Sequence, residues 1–438
     1  MYSFPPMTEE RLDGGLHVTW VPDKEQHGLT IALQVPAGEF SDPPSFEGTA
    51  EIAVNLMQKG TRSLDSEEFS EKIEQTGASL FVDAGDEHIV LGCKMLSKFA
   101  HDTVPLFWEM VCDPRMEKSE FSRLKREMLT ALQAEYSDAN ALVNKHFYSL
   151  LCGASHPAGR MHTLASIKRI SLGAVAGFYG DYYSPAQSSL IVAGDFDPGE
   201  SVKKWRDLFS SWTAPAKRAG CIGRALMPLG KSRVRLIDKP DVSQSYIMVG
   251  HPVPGELSPN HHALALANYI LGGGNFSSRL MASVRAGKGK TYGISSQISG
   301  NRQCGIFTIS TATLNAQTAE VLETIFSVYR VLAEHGVTDD ELEKAKQFAI
   351  GNMAFQLEGI GNIAEKLLWL RLYGRTKDYV ENFGGAIASI TKEQVDAAIR
   401  DHLSSQYFAI AVVGKKENVA SQLQGLGDVE TVSYRDNP

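Results

Sequence analysis

Two stretches of the chain carry polar side chains at spacings that could act on a ligand, and they offer different chemistry. In Leu271–Leu280 three consecutive glycines, Gly272, Gly273 and Gly274, precede Ser277-Ser278-Arg279, and Arg285 and Tyr292 follow at a spacing of seven. A guanidinium fork and a phenol both donate hydrogen bonds to carbonyl oxygens without exchanging protons, which suits them to holding a peptide backbone or a developing oxyanion. The glycine run lacks Gly-x-Gly-x-x-Gly or Gly-Lys-Ser/Thr order, so nucleotide binding is disfavoured. In the other stretch Glu51 and Asn55 stand four residues apart, a spacing that places both on one helix face. Together they are poor metal ligands, and Val54 beside them cannot accept a proton.

No other metal site is expected. The 12 histidines include no His-x-x-x-His pair. His261 and His262 are adjacent at a helix start, where side chains diverge by about 100°, and they read as solvated. His156 and His162 lie in and just after Ser155-His156-Pro157-Ala158-Gly159-Arg160 and read as loop-fixing. The five cysteines (Cys93, Cys112, Cys152, Cys221, Cys304) are widely spaced and form no Cys-x-x-Cys pair. That pattern argues against a disulfide framework and a thiolate zinc site, and for packed thiols in a reducing compartment.

The segment Gly48-Thr49-Ala50-Glu51-Ile52-Ala53-Val54-Asn55-Leu56-Met57-Gln58-Lys59-Gly60-Thr61 resembles the zinc helix of the pitrilysin/insulinase family of metallopeptidases. Members typically read Gly-x-Ala-His-x-x-Glu-His, then an apolar pair and Lys-Gly-Thr. The flanks match and the centre does not: the two metal-binding histidines fall on Glu51 and Asn55, and the general-base Glu falls on Val54. The family's third ligand, a Glu about 75 residues downstream, falls around Ala131 or Leu132, with Glu127 and Glu135 near by. The edge strand that pairs with substrate in the family carries Asn-Ala, where Gly77–Asp83 here has Phe81. The run Gly272–Gly274 with Arg285 and Tyr292 is similar to the family's Gly-rich segment and its Arg and Tyr, which reach toward the zinc of the other half or of a partner subunit. His156-Pro157-Ala158-Gly159-Arg160 matches a structural loop of the family. The resemblance implies an α+β chain of two homologous domains, each a largely antiparallel sheet with helices packed on it, forming half of a clam-like chamber.

It also implies a chain without catalytic residues and without zinc of its own. Such a chain would be the substrate-binding subunit of a heterodimeric peptidase, with zinc in a homologous partner of similar size, a peptide as substrate, and Gly272–Gly274, Arg285 and Tyr292 as its binding residues. The alternatives are a structural or peptide-binding pseudopeptidase and, last, a hydrolase with an unrecognised site.

The elements that must position these residues show an internal repeat. Ser166-Ile167 opens a helical stretch leading through Phe178 and Tyr182 to Leu190–Gly194, and Ser389-Ile390 opens another leading through Ile399 and Leu403 to Ile410–Gly414. The offsets of 223 and 220 imply a three-residue indel. Each half begins with alternating apolar runs, Leu16–Trp20 and Val234–Ile237, then longer strands at Thr30–Val35 and Ser245–Val249, then helices containing Val54–Met57 and His262–Leu271. Asp65 with Glu68, Thr338 with Glu341, and Thr391 with Gln394 have the spacing of N-caps and their reciprocal partners. The Gly- and Pro-punctuated stretch after Ser211 sets domains at 1–215 and 232–438, with 216–231 as linker.

A chain of 438 residues exceeds what one core usually supports, which fits two domains. Its 51 acidic and 43 basic residues are spread without long like-charge runs, so nucleic acid is an unexpected partner. No 18-residue apolar run suggests a membrane span, and Met1–Gly15 does not resemble a signal peptide. The expected compartment is the cytoplasm, or the periplasm if a signal peptide has been removed.

Overall fold

A computed structural model describes residues 3–437 other than Gln26, Ala216 and 287–290. Its strands are β1 (Thr8–Arg11), β2 (His17–Pro22), β3 (Gly28–Val35), β4 (Ser79–Ala84), β5 (Ile89–Leu96), β6 (Ser189–Gly194), β7 (Arg233–Asp238), β8 (Gln244–Pro254), β9 (Thr291–Gly300), β10 (Cys304–Leu314), β11 (Ala409–Gly414) and β12 (Asp428–Ser433). Among the described residues these make two six-stranded sheets, ordered β1-β2-β6-β3-β5-β4 and β12-β7-β11-β8-β10-β9.

The repeat is visible strand by strand. In each sheet the late strand of its half, β6 or β11, inserts between the two earliest long strands. It runs parallel to β2 or β7 and antiparallel to β3 or β8. Such central strands are covered on both faces, which explains their unbroken apolar sequences: all six residues of β6 and of β11 are buried. The outer edges differ, because β1 pairs antiparallel with β2 whereas β12 pairs parallel with β7.

The helical register differs from the Ser-Ile alignment. Ser166 and Ile167 lie inside the helix Leu164–Arg169, whereas Ser389 ends the helix Phe383–Ser389. The capping residues Ser171 and Thr391 open the next helices, Leu172–Tyr182 and Lys392–His402. They are 220 apart, as are the first residues of β6 and β11, Ser189 and Ala409. A single offset of 220 therefore runs from cap to strand and no indel is needed. The corresponding buried pair is Ile167 with Ile387.

Compact packing does not follow the sequence halves. One unit comprises residues 1–131, 162–222 and 353–383, and the other 132–161, 223–352 and 384–438. Two helices explain the exchange. The helix Ala139–Cys152 buries Leu142, Val143, Phe147 and Leu151 in one core with Met248, Ile306, Ala411 and Val413 of β8, β10 and β11. The helix Ile360–Leu372 buries Ile363, Ala364, Leu367 and Leu368 with Val21, Ala32 and Ile191 of β2, β3 and β6. Each sheet thus receives a helix encoded in the other half. No helix among the described residues is long and apolar enough to cross a membrane.

Candidate functional site

The helix Thr49–Met57 starts under tight control. Gly48 has φ of +103°, and a Cβ there would lie 2.4 Å from Ile167 Cδ1, so the left-handed turn and the close approach both call for glycine. The Asp42 carboxylate accepts hydrogen bonds from the Gly48 and Ala50 amides at 2.7 and 2.8 Å, satisfying donors at the helix start. Val54 is fully buried, with Ala50, Ile52, Ala53, Leu56 and Met57 also in the core, so the position of a base is occupied by packing. Glu51 and Asn55 share the partly exposed face. Asn55 donates its amide to the Glu51 backbone carbonyl at 2.8 Å, so that donor is spent within the helix.

The zinc helix of an active peptidase needs two imidazoles and a carboxylate base. Glu51, Val54 and Asn55 do not fit it, and no catalytic step can be drawn through a metal on these three residues. The downstream carboxylates are engaged elsewhere: Glu127 pairs with Arg123 at 2.7 Å and Glu135 with Lys145 at 2.6 Å. Ala131 is exposed and Leu132 is buried.

One gathering at this helix escapes sequence reasoning. His162 Nδ1 lies 3.4 Å from a Glu51 oxygen, and His162 Nε2 lies 3.6 Å from a Glu39 oxygen. One donor atom from each of Glu39, Glu51 and His162 falls within 4.8 Å of the other two. Burial pushes the Glu39 carboxyl up to about 8, and the negative charges of Glu51, Asp42, Asp86 and Asp83 add to the shift. His156 does fix its loop, accepting from the Ala158 amide at 3.1 Å and bonding the Arg224 carbonyl through Nε2 at 2.8 Å. His162, six residues on, turns to the degenerate helix instead. Glu39 and His162 are 123 residues apart, and nothing periodic connects them; the one sequence signal is that His162 closely follows the family-like loop.

In the other compact unit the glycine run forms a π-helical turn, Tyr269–Gly273, followed by a short turn at Asn275–Ser277. A Cβ on Gly272 would lie 2.6 Å from the Ser296 amide nitrogen, so this glycine lets the turn rest against β9. On Gly274 a Cβ would lie 2.9 Å from the Tyr269 carbonyl oxygen, whereas Gly273 is exposed. Arg285 belongs to the helix Arg279–Ala286 and Tyr292 to β9. Their side chains lie outside the described residues.

Fold and site together define a two-repeat metallopeptidase-like chain with a degenerate zinc helix. The family described as insulinase (peptidase family M16) matches residues 18–156, and the peptidase M16 inactive domain matches residues 169–348. The chain belongs to the M16 family. It is 26% identical over 428 residues to an uncharacterized zinc protease of Streptomyces coelicolor, covering 94% of this chain and 90% of that one. A non-peptidase homolog from Helicobacter pylori is 20% identical over 383 residues, 87% of each chain. The crystal structure of a peptidase M16 inactive domain from Pseudomonas fluorescens superposes with a TM-score of 0.86 at 23% identity, covering 93% of this chain and 98% of that one.

Proposed function

We propose that this chain is the non-catalytic, substrate-binding subunit of a heterodimeric zinc metallopeptidase. It completes the chamber around a peptide held at the zinc of a homologous subunit of similar size and supplies Arg285 and Tyr292 as hydrogen-bond donors. The observation that carries the reading is Val54: a fully buried aliphatic side chain stands where water activation needs a carboxylate. The match of residues 169–348 to the inactive-domain description supports it. Gly272, Gly273 and Gly274 would set the backbone that presents the two donors. The halves 1–215 and 232–438 are proposed as domains in the sense of homologous repeats, each completed in packing by a helix of the other. The five free cysteines agree with the cytoplasm.

The test is co-expression with a zinc-bearing homologue carrying His-x-x-Glu-His, followed by gel filtration and a fluorogenic peptide mixture. The isolated chain should be inert and the pair active. Tyr292→Phe deletes one hydroxyl and little volume, so it should leave assembly intact and lower turnover by about 10²–10³-fold. Arg285→Ala should act mainly on the Michaelis constant. Wild-type kinetics in both variants, or no complex with any such homologue, would instead make the chain a structural or peptide-binding pseudopeptidase.

A further inference from the structure

We propose that Glu39, Glu51 and His162 bind one divalent first-row transition ion, with zinc the best match to the donor set, and that this ion locks the local fold without activating water. The case begins with geometry. Donors held about 2.1 Å from one ion lie within about 4.2 Å of each other. The three donor atoms already fall within 4.8 Å, so small side-chain rotations close the set. His162 meets Glu51 through Nδ1 at 3.4 Å and Glu39 through Nε2 at 3.6 Å, both longer than the about 2.7–2.9 Å of a tight charge-assisted hydrogen bond; one of these nitrogens ligates the ion, which replaces that direct contact and leaves the other nitrogen to its carboxylate.

Each ligand comes from a segment fixed independently of any ion. The Glu39 amide donates to the Gly85 carbonyl at 2.9 Å, and the Phe40 amide donates to that of Asp86 at 2.9 Å. Glu51 sits in the first turn of the helix that Asp42 caps. His162 directly precedes the Thr163 capping box, whose Ser166 hydroxyl also donates to the Glu47 carbonyl at 3.0 Å. A frame of this kind limits the ordering cost of closing the set.

Electrostatics favour a cation as well. The half-buried Glu39 carboxyl is surrounded by the carboxylates of Glu51, Asp42, Asp86 and Asp83, and that concentration of negative charge is relieved by an ion. Chemistry narrows the choice. Calcium and magnesium take oxygen ligands, whereas one imidazole with two carboxylates suits zinc and its first-row neighbours. Three protein ligands leave a fourth position to water, and with Val54 buried beside Glu51 no carboxylate takes the motif's base position to deprotonate it, so we assign the ion a structural role. The inference stands whether or not a partner subunit exists.

The experiment uses the full chain, stripped with chelator and dialysed. Zinc chloride is titrated in by calorimetry, thermal unfolding is followed with and without zinc, and cobalt(II) substitution is read from its visible absorption. The expected result is one zinc per chain, a zinc-dependent rise in Tm, and no comparable rise with magnesium or calcium at the same concentration. Glu39→Gln, Glu51→Gln and His162→Asn should each weaken zinc by about tenfold or more, with the metal-free Tm of each variant measured as a folding control. Glu51→Gln, on the partly exposed helix face, is the variant to rely on if the others fold poorly. Absence of zinc binding, or stoichiometric zinc of unchanged affinity in Glu51→Gln and His162→Asn, overturns the assignment. Peptide hydrolysis by the zinc-loaded chain alone would overturn the structural role.

Discussion

Arg279 follows the last glycine of the run, Gly274, after four intervening residues, yet its partners give it a structural task. Its Nε and one terminal nitrogen each donate to Glu341 at 2.7 Å, and the latter also donates to the Gly336 carbonyl at 2.9 Å. Glu341 in turn accepts from the Thr338 amide and returns its own amide to the Thr338 hydroxyl, so a single carboxylate serves both the ion pair and the helix cap. The Arg279 hydrogen bonds outweigh desolvation and hold the Glu341 carboxyl down at about 2, against an ordinary 4.5. A depressed carboxylate stabilises the fold fully above the unfolded value and loses that contribution as pH falls from about 4.5 toward 2. Glu341→Gln should therefore cost roughly 1–2 kcal/mol at pH 7, after allowance for screening at a partly exposed pair, and progressively less toward pH 3. Urea unfolding of both proteins at several pH values measures this. A cost that does not change with pH would show that the ion pair contributes nothing.

Among the elements, the edge strand β4 shows how a residue that departs from the family's pattern can be fixed by its neighbour. Phe81 lies opposite Gly92 of β5, and a Cβ on Gly92 would come within 2.0 Å of the Phe81 ring. The ring lies over the bare glycine, with the Lys94 ammonium 5.5 Å from its centre. Gly92→Ala should then cost about 1–3 kcal/mol through overpacking, and much of that cost should vanish when Phe81→Ala is already present. A double-mutant cycle of unfolding free energies decides it, since additive costs would mean the two positions are not coupled. Local signals of this range were legible in the sequence. Asp65 with Glu68 and Thr391 with Gln394 form the reciprocal caps that their three-residue spacing implied, because such bonds are made within one helical turn. The buried strands at 190–194 and 410–414 were legible from their unbroken apolar runs. The Ser-Ile register was not, since a dipeptide match carries no information about which residue caps a helix. The meeting of Glu39 with His162 was not legible either, because a contact across 123 positions depends on the loops that bring the segments back together.

For the whole molecule, the exchange of helices between the halves makes each repeat incomplete as a folding unit. A fragment of residues 1–215 lacks the helix Ile360–Leu372, which leaves the apolar surface of Val21, Ala32, Ile191 and Ala193 without its cover. That fragment would also carry the helix Ala139–Cys152 with Phe147 and Leu151 deprived of the β8–β11 face they pack on. Residues 232–438 suffer the converse loss. Each fragment thus exposes both an uncovered sheet face and a stray amphipathic helix, a combination that promotes aggregation. Expressed separately, 1–215 and 232–438 should be insoluble or lack a cooperative thermal transition, whereas co-expression should yield a soluble complex, because each sheet then regains its helix and the omitted linker takes away only peripheral contacts such as those of Leu226 and Leu229. Solubility, gel filtration and calorimetry of the two fragments, alone and together, check this. A folded, cooperatively melting 1–215 on its own would mean that the helix Ile360–Leu372 is dispensable to that sheet and that the repeat halves are independent domains.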